Sequence, residues 1–486
     1  MLKIIVLIFS VLLLLVGCVA NGDYDADIPE LNQDTSQNDL SLNSTETNHT
    51  QNEDTQNNSD IKTINDERTQ YYEPISIDLA EYLFAQLHDI FEEDNGYLWG
   101  ELLHTPFIFL DTETREIVAN QQDPDGTFEK LGNVYLSTLP EHLIAAYSFQ
   151  DFNGQRWAIM PWDMVVTDKE HPDIILRTMT HMSFHIQQPS LFGDSPGWDT
   201  SHMNQEFARV TIQLEVNALL QALRSEGEER VKNIHDALSI RVARRIEFER
   251  SKNENIFEVH EGLADYTATR LTKTDIDALL IYTEALAGNL KHVENMGGLF
   301  GYISGALYGY LLDETGIIWK EHVRYGIDLS TLLQEAHKIN NLLSFDELDL
   351  TSYGYEEIVT AEAVRLENYL RLLDDISKMF LQEPTLRIPS SYDSGDMMLN
   401  PSRIFQVPGV GEVYGATVVI SGIFGTLELY DGYFARSNST YDGRIIATDM
   451  VIEGNRASSS GWLLALEDGF EIRPEGTNYT INTRSN

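Results

Sequence analysis

The sequence predicts an α+β fold: a small N-terminal sheet, a mostly helical middle part and a small all-β region at the C-terminus. Changes in hydrophobic period carry that prediction. Apolar residues come in short strand-like runs up to Met160 and recur at helical spacing from Ile174. After Pro389 they return to short runs between Gly, Asn and Asp turns. A chain of 486 residues, 42% hydrophobic and 10% aromatic, has room for two or three domains and ample material for a core.

The first segment reads as an address. Lys3 supplies a positive start, an apolar run over 4–16 is broken only by Ser10, and Gly17 precedes Cys18, the pattern of a signal peptide. Leu15-Val16-Gly17-Cys18 resembles the lipobox of bacterial lipoproteins. That resemblance implies a signal peptide over 1–18, a lipid on Cys18 and an extracytoplasmic protein anchored to the bacterial cell membrane. An ordinary signal peptide or short membrane anchor is the alternative. Cys18 is the only cysteine, so an intramolecular disulfide is excluded, and a mature protein with its lipid on Cys18 has no thiolate nucleophile or thiolate metal ligand. Residues 19–70 are rich in Asn, Asp, Thr, Ser and Gln and are expected to form a disordered polar linker. Such a tether spans about 40 Å by flexible-chain scaling.

A folded region is expected over 71–385 and a β-rich one over 386–486. Leu79, Leu83, Leu87 and Ile90 recur at helical spacing before Asp94-Asn95-Gly96. Residues 107–110 and 116–119 flank a polar turn as a hairpin does, with further strands at 133–136 and 156–160. Residues 174–188 read as a helix halted at Pro189. Further helices follow from Phe207, along the stripe Ile234, Leu238, Val242 and Ile246, over 254–271, over 301–313 and on to about Phe380. Strands are expected at 416–423, 426–430 and 461–466.

Charge narrows the partners. With 77 acidic and 33 basic residues the formal net charge is -44, which repels nucleic acid and anionic headgroups and fits a solvated surface. No Walker loop, dinucleotide fingerprint or Gly-x-Ser-x-Gly elbow is present.

The chemistry concentrates on histidine. His181 and His185 stand four apart, so on a helix both imidazoles share one face and can reach one ion. With 13 histidines in 486 residues, about a third of one such pair arises by chance, so the spacing alone carries little weight. Glu261 supplies the third ligand type of a catalytic zinc site. Asp265, one turn further, is placed to accept the other imidazole N–H of His181 as an outer partner. His260, beside Glu261, points away on an ideal helix.

In this arrangement the sequence resembles the gluzincin metallopeptidases, whose second motif carries a glutamate ligand and an acidic residue four places on. It looks closest to largely uncharacterised secreted bacterial proteins with a gluzincin-like core. The likeness runs over about 97–319 through Trp99-Gly100, Ile117-Val118-Ala119-Asn120-Gln121, the histidine helix, Leu214-Glu215, Glu261 to Tyr266 and Tyr302-Ile303-Ser304-Gly305 with Tyr308. The resemblance implies a zincin-like domain, one zinc on His181, His185 and Glu261, and a peptide or protein as substrate or ligand. It also implies a hydroxyl near the site, for which Tyr302 and Tyr308 are candidates, although aromatics at helical spacing are commonly core residues.

One position departs from the pattern. The residue after the first histidine is ordinarily the glutamate that activates the attacking water, and here it is Met182, a weak thioether acceptor. Losing a positioned general base costs about 10²- to 10⁴-fold in rate. Glu215, alone on an apolar helix, is the favoured substitute, with Glu206 and Glu258 behind it; a buried ion pair with Arg244 or Arg245 is its structural alternative. Glu254 and Glu258 are expected on a solvated acidic face. Two functions follow: a zinc protein of metallopeptidase type with hydrolysis weak or lost, or a non-catalytic pseudopeptidase that binds peptide or envelope material.

Overall fold

The computed structural model describes residues 73–484 apart from 142, 250–251, 274–275, 294, 399–402 and 417. The expected signal peptide, Cys18 and the polar linker lie outside the described residues. What is described is α+β in the expected order: a small sheet, a helical middle and a C-terminal all-β region.

Helix α1 (Ile77–Asp94) is capped at both ends: the Ser76 hydroxyl accepts the Leu79 N–H, and Asn95, left-handed at φ 46°, donates its N–H to the Phe91 carbonyl. The N-terminal sheet follows, with β1 (Phe107–Leu110), β2 (Glu116–Ala119), β3 (Glu129–Leu131), β4 (Val134–Thr138), β5 (Ser148–Phe152) and β6 (Gln155–Pro161). Their order is β3-β4-β2-β1-β6-β5, with only β1 and β6 parallel. The expected hairpin pairs Ile108 with Ala119, and its turn is held by Asp111, whose carboxylate accepts the N–H groups of Glu113 and Thr114. Both faces of β1 are covered, which is why it reads as an unbroken apolar run. Phe107 and Phe109 join the main core with Phe84 of α1, whereas Ile108 and Leu110 pack with Trp157, Ile159 and Phe128 on the other side.

The helical part comprises α2 (Trp162–Asp168), α3 (Pro172–Phe192), α4 (Glu206–Arg224), α5 (Gly227–Glu247), α6 (Lys252–Phe257), α7 (Leu263–Leu271), α8 (Ile276–Leu290), α9 (Phe300–Asp313), α10 (Trp319–Arg324), α11 (Leu329–Ala336) and α12 (Tyr355–Gln382). Two expectations are corrected here. α3 does not halt at Pro189 but runs one turn further, closed by Gly193, whose N–H reaches the Pro189 carbonyl. A proline there removes only one donor near the helix end. The helix expected over 254–271 is interrupted by a π-helical turn, Glu258–Gly262, whose wider winding is sealed by the Leu263 N–H on the Glu258 carbonyl.

Helix α9 crosses that turn at very close range. A Cβ on Gly262 would lie 2.4 Å from the Gly301 carbonyl oxygen, and one on Gly305 would lie 2.6 Å from that of Glu258. Only glycine permits the approach.

After α12, thirteen strands run from β7 (Thr385–Ile388) to β19 (Asn478–Thr483) in a seven-stranded and a six-stranded sheet. Leu386, Ile420, Leu427, Phe434, Trp462 and Leu464 share one core, while Ile376 and Phe380 of α12 pack with Phe405, Val413 and Ala435. Among the described residues no helix is long and apolar enough to cross a membrane.

Candidate metal centre

Three buried side chains converge between α3 and the π turn. His181 and His185 bring their Nε2 atoms to 3.0 Å, and Oε2 of Glu261 lies 3.2 Å from His185 Nε2 and 3.6 Å from His181 Nε2. Ligands about 2.0–2.1 Å from a tetrahedral zinc stand about 3.3 Å apart, so these three atoms already span the corners of such a site. Their chemistry fits as well: two imidazole nitrogens and one carboxylate oxygen that can hold a metal ion. Glu261 is 1% exposed, and its Oε2 accepts no well-formed hydrogen bond among the described residues. A buried carboxylate oxygen this close to two imidazole nitrogens forms, with them, a group that could hold a metal ion. Burial pushes the Glu261 carboxyl up, but His185 and His181 outweigh it and hold it well below the usual range.

The surroundings are aromatic. The Tyr302 ring lies parallel to that of His181 at 6.0 Å, and Phe149, on the edge strand β5, meets His185 edge-on at 5.5 Å. The π turn also changes the place of His260, expected to point away. Its ring lies 4.8 Å from that of His185 and 4.9 Å from Trp198, and its Nε2 lies 3.7 Å from Glu261 Oε1. Burial, helped by His185, pushes its pKa down to about 4. Asp265 is buried as well; burial raises its carboxyl, partly offset by Arg177 and His181 nearby. Met182 is 0% exposed and belongs to the apolar core.

Sequence reasoning missed Gln188. Its amide nitrogen donates to the carbonyls of His260 at 2.6 Å and Val259 at 3.2 Å, and its oxygen lies 2.7 Å from Nδ1 of His185. The spacing from His185 to Gln188 is one helical turn, a signal available in the sequence.

The other candidates sit elsewhere. Glu215 is fully buried on α4, where its carboxylate accepts from Arg241 Nε at 2.7 Å, Arg244 Nη2 at 2.6 Å and the Tyr308 hydroxyl at 2.8 Å. Every oxygen is committed, so Glu215 is not the substitute base and Tyr308 is not turned to the metal group. Arg245, offered as a partner for Glu215, pairs with Asp328 at 2.7 Å instead. Glu254 and Glu258 are not solvated: both are 0% exposed. Glu254 accepts from Arg244 and His202, and Glu258 from Arg241 and Ser304. The reason is the pair Arg241 and Arg244, one turn apart on the buried face of α5. Burial raises the carboxyls of Glu215 and Glu254, and the guanidiniums more than offset it, holding both low. Glu206 is exposed at the start of α4.

A second group, His88, Glu92 and His104, lies exposed on α1 and the following loop, with His104 Nε2 already 2.8 Å from Glu92 Oε1. Its acceptor is satisfied, which sets it apart from Glu261. Comparison with family models, curated proteins and solved structures gives no match for this chain.

Proposed function

We propose that the protein is a zinc-binding protein of gluzincin metallopeptidase type, anchored outside the cytoplasm by a lipid on Cys18, in which peptide hydrolysis is weak or lost. The observation that carries the metal reading is the orphaned Glu261 oxygen facing two imidazoles at ligand spacing. The zincin-like reading is supported by the arrangement of parts: a small sheet whose edge strand β5 borders the histidine helix, and a third ligand from a later helix.

Zinc, when bound, supplies Lewis acidity toward a carbonyl and makes water more acidic. His181, His185 and Glu261 would hold it, and Phe149 and Tyr302 wall the imidazoles. The carboxylates that could replace the missing glutamate are committed elsewhere among the described residues. Met182 occupies the base position as a core residue, and Glu215, Glu254 and Glu258 are bound to arginines. Those commitments favour the second reading as the working form: a pseudopeptidase module that uses the metal cleft to bind peptide or envelope material.

Elemental analysis of the soluble region is expected to give near one zinc per chain, lost in His185→Ala and retained in His88→Ala. Failure to bind tight metal would falsify this function. On a peptide library, Met182→Glu is expected to cleave at least about 100-fold faster than the natural protein. Efficient cleavage by the natural protein would instead reveal a base elsewhere.

A further inference from the structure

We infer that Gln188 is a positioning residue that fixes the tautomer of His185 and fastens the histidine helix to the turn carrying Glu261; this rests on the metal reading above. The inference starts from the orientation of the amide. Carbonyl oxygens only accept, so the end of the Gln188 side chain 2.6 Å from the His260 carbonyl and 3.2 Å from that of Val259 must be the NH₂ group. Its other end is therefore the oxygen, and it too only accepts. Nδ1 of His185, 2.7 Å away, has to be the N–H donor. In the neutral ring Nε2 is then left with its lone pair, and Nε2 is the atom that faces His181 and Glu261.

A free histidine divides between two tautomers, and only the one with a bare Nε2 can ligate here. Gln188, 5% exposed, selects it before any metal arrives. The same amide bridges two separate elements. His185 and Gln188 are both on α3, whereas Val259 and His260 immediately precede Glu261 on the π turn, so one side chain orients a nitrogen ligand and ties its helix to the turn that carries the carboxylate ligand.

The test uses Gln188→Leu, which fills the space without hydrogen bonds, and Gln188→Glu. Buried and protonated, that glutamic acid can accept from His185 and donate to a carbonyl. Zinc affinity is measured by competition with a chelator. The imidazole tautomer is read from nitrogen-15 spectra of the metal-free proteins at pH 8. The leucine variant is expected to bind zinc about 10- to 100-fold more weakly and to show mixed tautomers. The glutamate variant is expected to recover most of the affinity, with the proton on Nδ1. Unchanged affinity in the leucine variant overturns the inference, and so do equal losses in both variants, which would leave Gln188 a mere clamp. If the natural protein binds no zinc, the metal reading fails by itself. The spectra then decide: the same Nδ1 proton in the natural and leucine proteins overturns the role given to Gln188.

Discussion

Glu258 and Glu261 leave the same π-helical turn and are equally buried, yet they face opposite situations. Glu258 is gripped by Arg241 on two oxygens and by Ser304, in a network that extends through Glu215 and Arg244 to Glu254. Glu261 faces two imidazoles and keeps one oxygen unserved. Burial of a carboxylate therefore does not distinguish a structural residue from a functional one. The partner does: guanidiniums tie Glu258 into the ion-pair network of the fold, whereas two imidazole nitrogens beside Glu261 form a group that could hold a metal ion.

The sharpest way to break this contrast is to remove the guanidinium. Arg241→Leu strands Glu258 and half of Glu215 in the core and is expected to cost about 3 to 5 kcal/mol, read by urea unfolding, with part regained on adding Glu258→Gln. A loss below about 1 kcal/mol would mean that the network is not holding the fold. On the Glu261 side stability is expected to come from outside. Zinc in thousand-fold excess over its Kd should stabilise the natural protein by about 4 kcal/mol, and Glu261→Gln should abolish that increment.

Acid gives a third effect. In the metal-free protein the His260 ring stays neutral down to about 4, whereas the unfolded chain takes up that proton near 6.5. The unfolded state binds more protons within that window, so stability is expected to fall by up to about 3 kcal/mol as the pH drops through it. His260→Gln should flatten the profile; an unaltered profile would assign the acid sensitivity to other groups. The smallest effect is expected from Gly305→Ala, whose added Cβ must push back the Glu258 carbonyl, costing about 2 kcal/mol. Because the π turn carries both glutamates, the same variant should also weaken zinc binding. Loss of stability with unchanged zinc affinity would show that the two sides respond separately.

Much of the fold was readable because period and punctuation agreed. The β1–β2 hairpin and the helical stripes of α1 and α3 follow directly from apolar spacing, whereas on α5 the expected stripe is half wrong: Ile234 and Leu238 are buried, but Val242 and Ile246 are exposed and Arg241 and Arg244 are buried in their stead. Strand β5 was passed over because its residues are half polar, although Asn153-Gly154 after it is a strong hairpin signal, and both residues adopt positive φ. The π turn leaves no mark in apolar spacing, so an unbroken helix over 254–271 was expected, with Glu254 and Glu258 on a solvated face, whereas both are buried. His181, His185 and Glu261 were legible from type and spacing. Glu215 was ambiguous, since a lone carboxylate on an apolar helix suits either a catalyst or an ion pair, and only the fold could bring Arg241 and Arg244 to it.

The glutamates of this interior also raise a matter of charge balance. Around the π turn stand five buried carboxylates, Glu215, Glu254, Glu258, Glu261 and Asp265, against three guanidiniums, those of buried Arg241 and Arg244 and half-buried Arg177. Counted fully ionised, with the histidines neutral, these groups would hold two more negative charges than positive ones, and burial raises the carboxyls of Glu258 and Asp265 toward the protonated form. On the metal reading proposed above, protons and a divalent cation would be alternative counterions for the same interior, so that metal uptake is expected to release hydrogen ions.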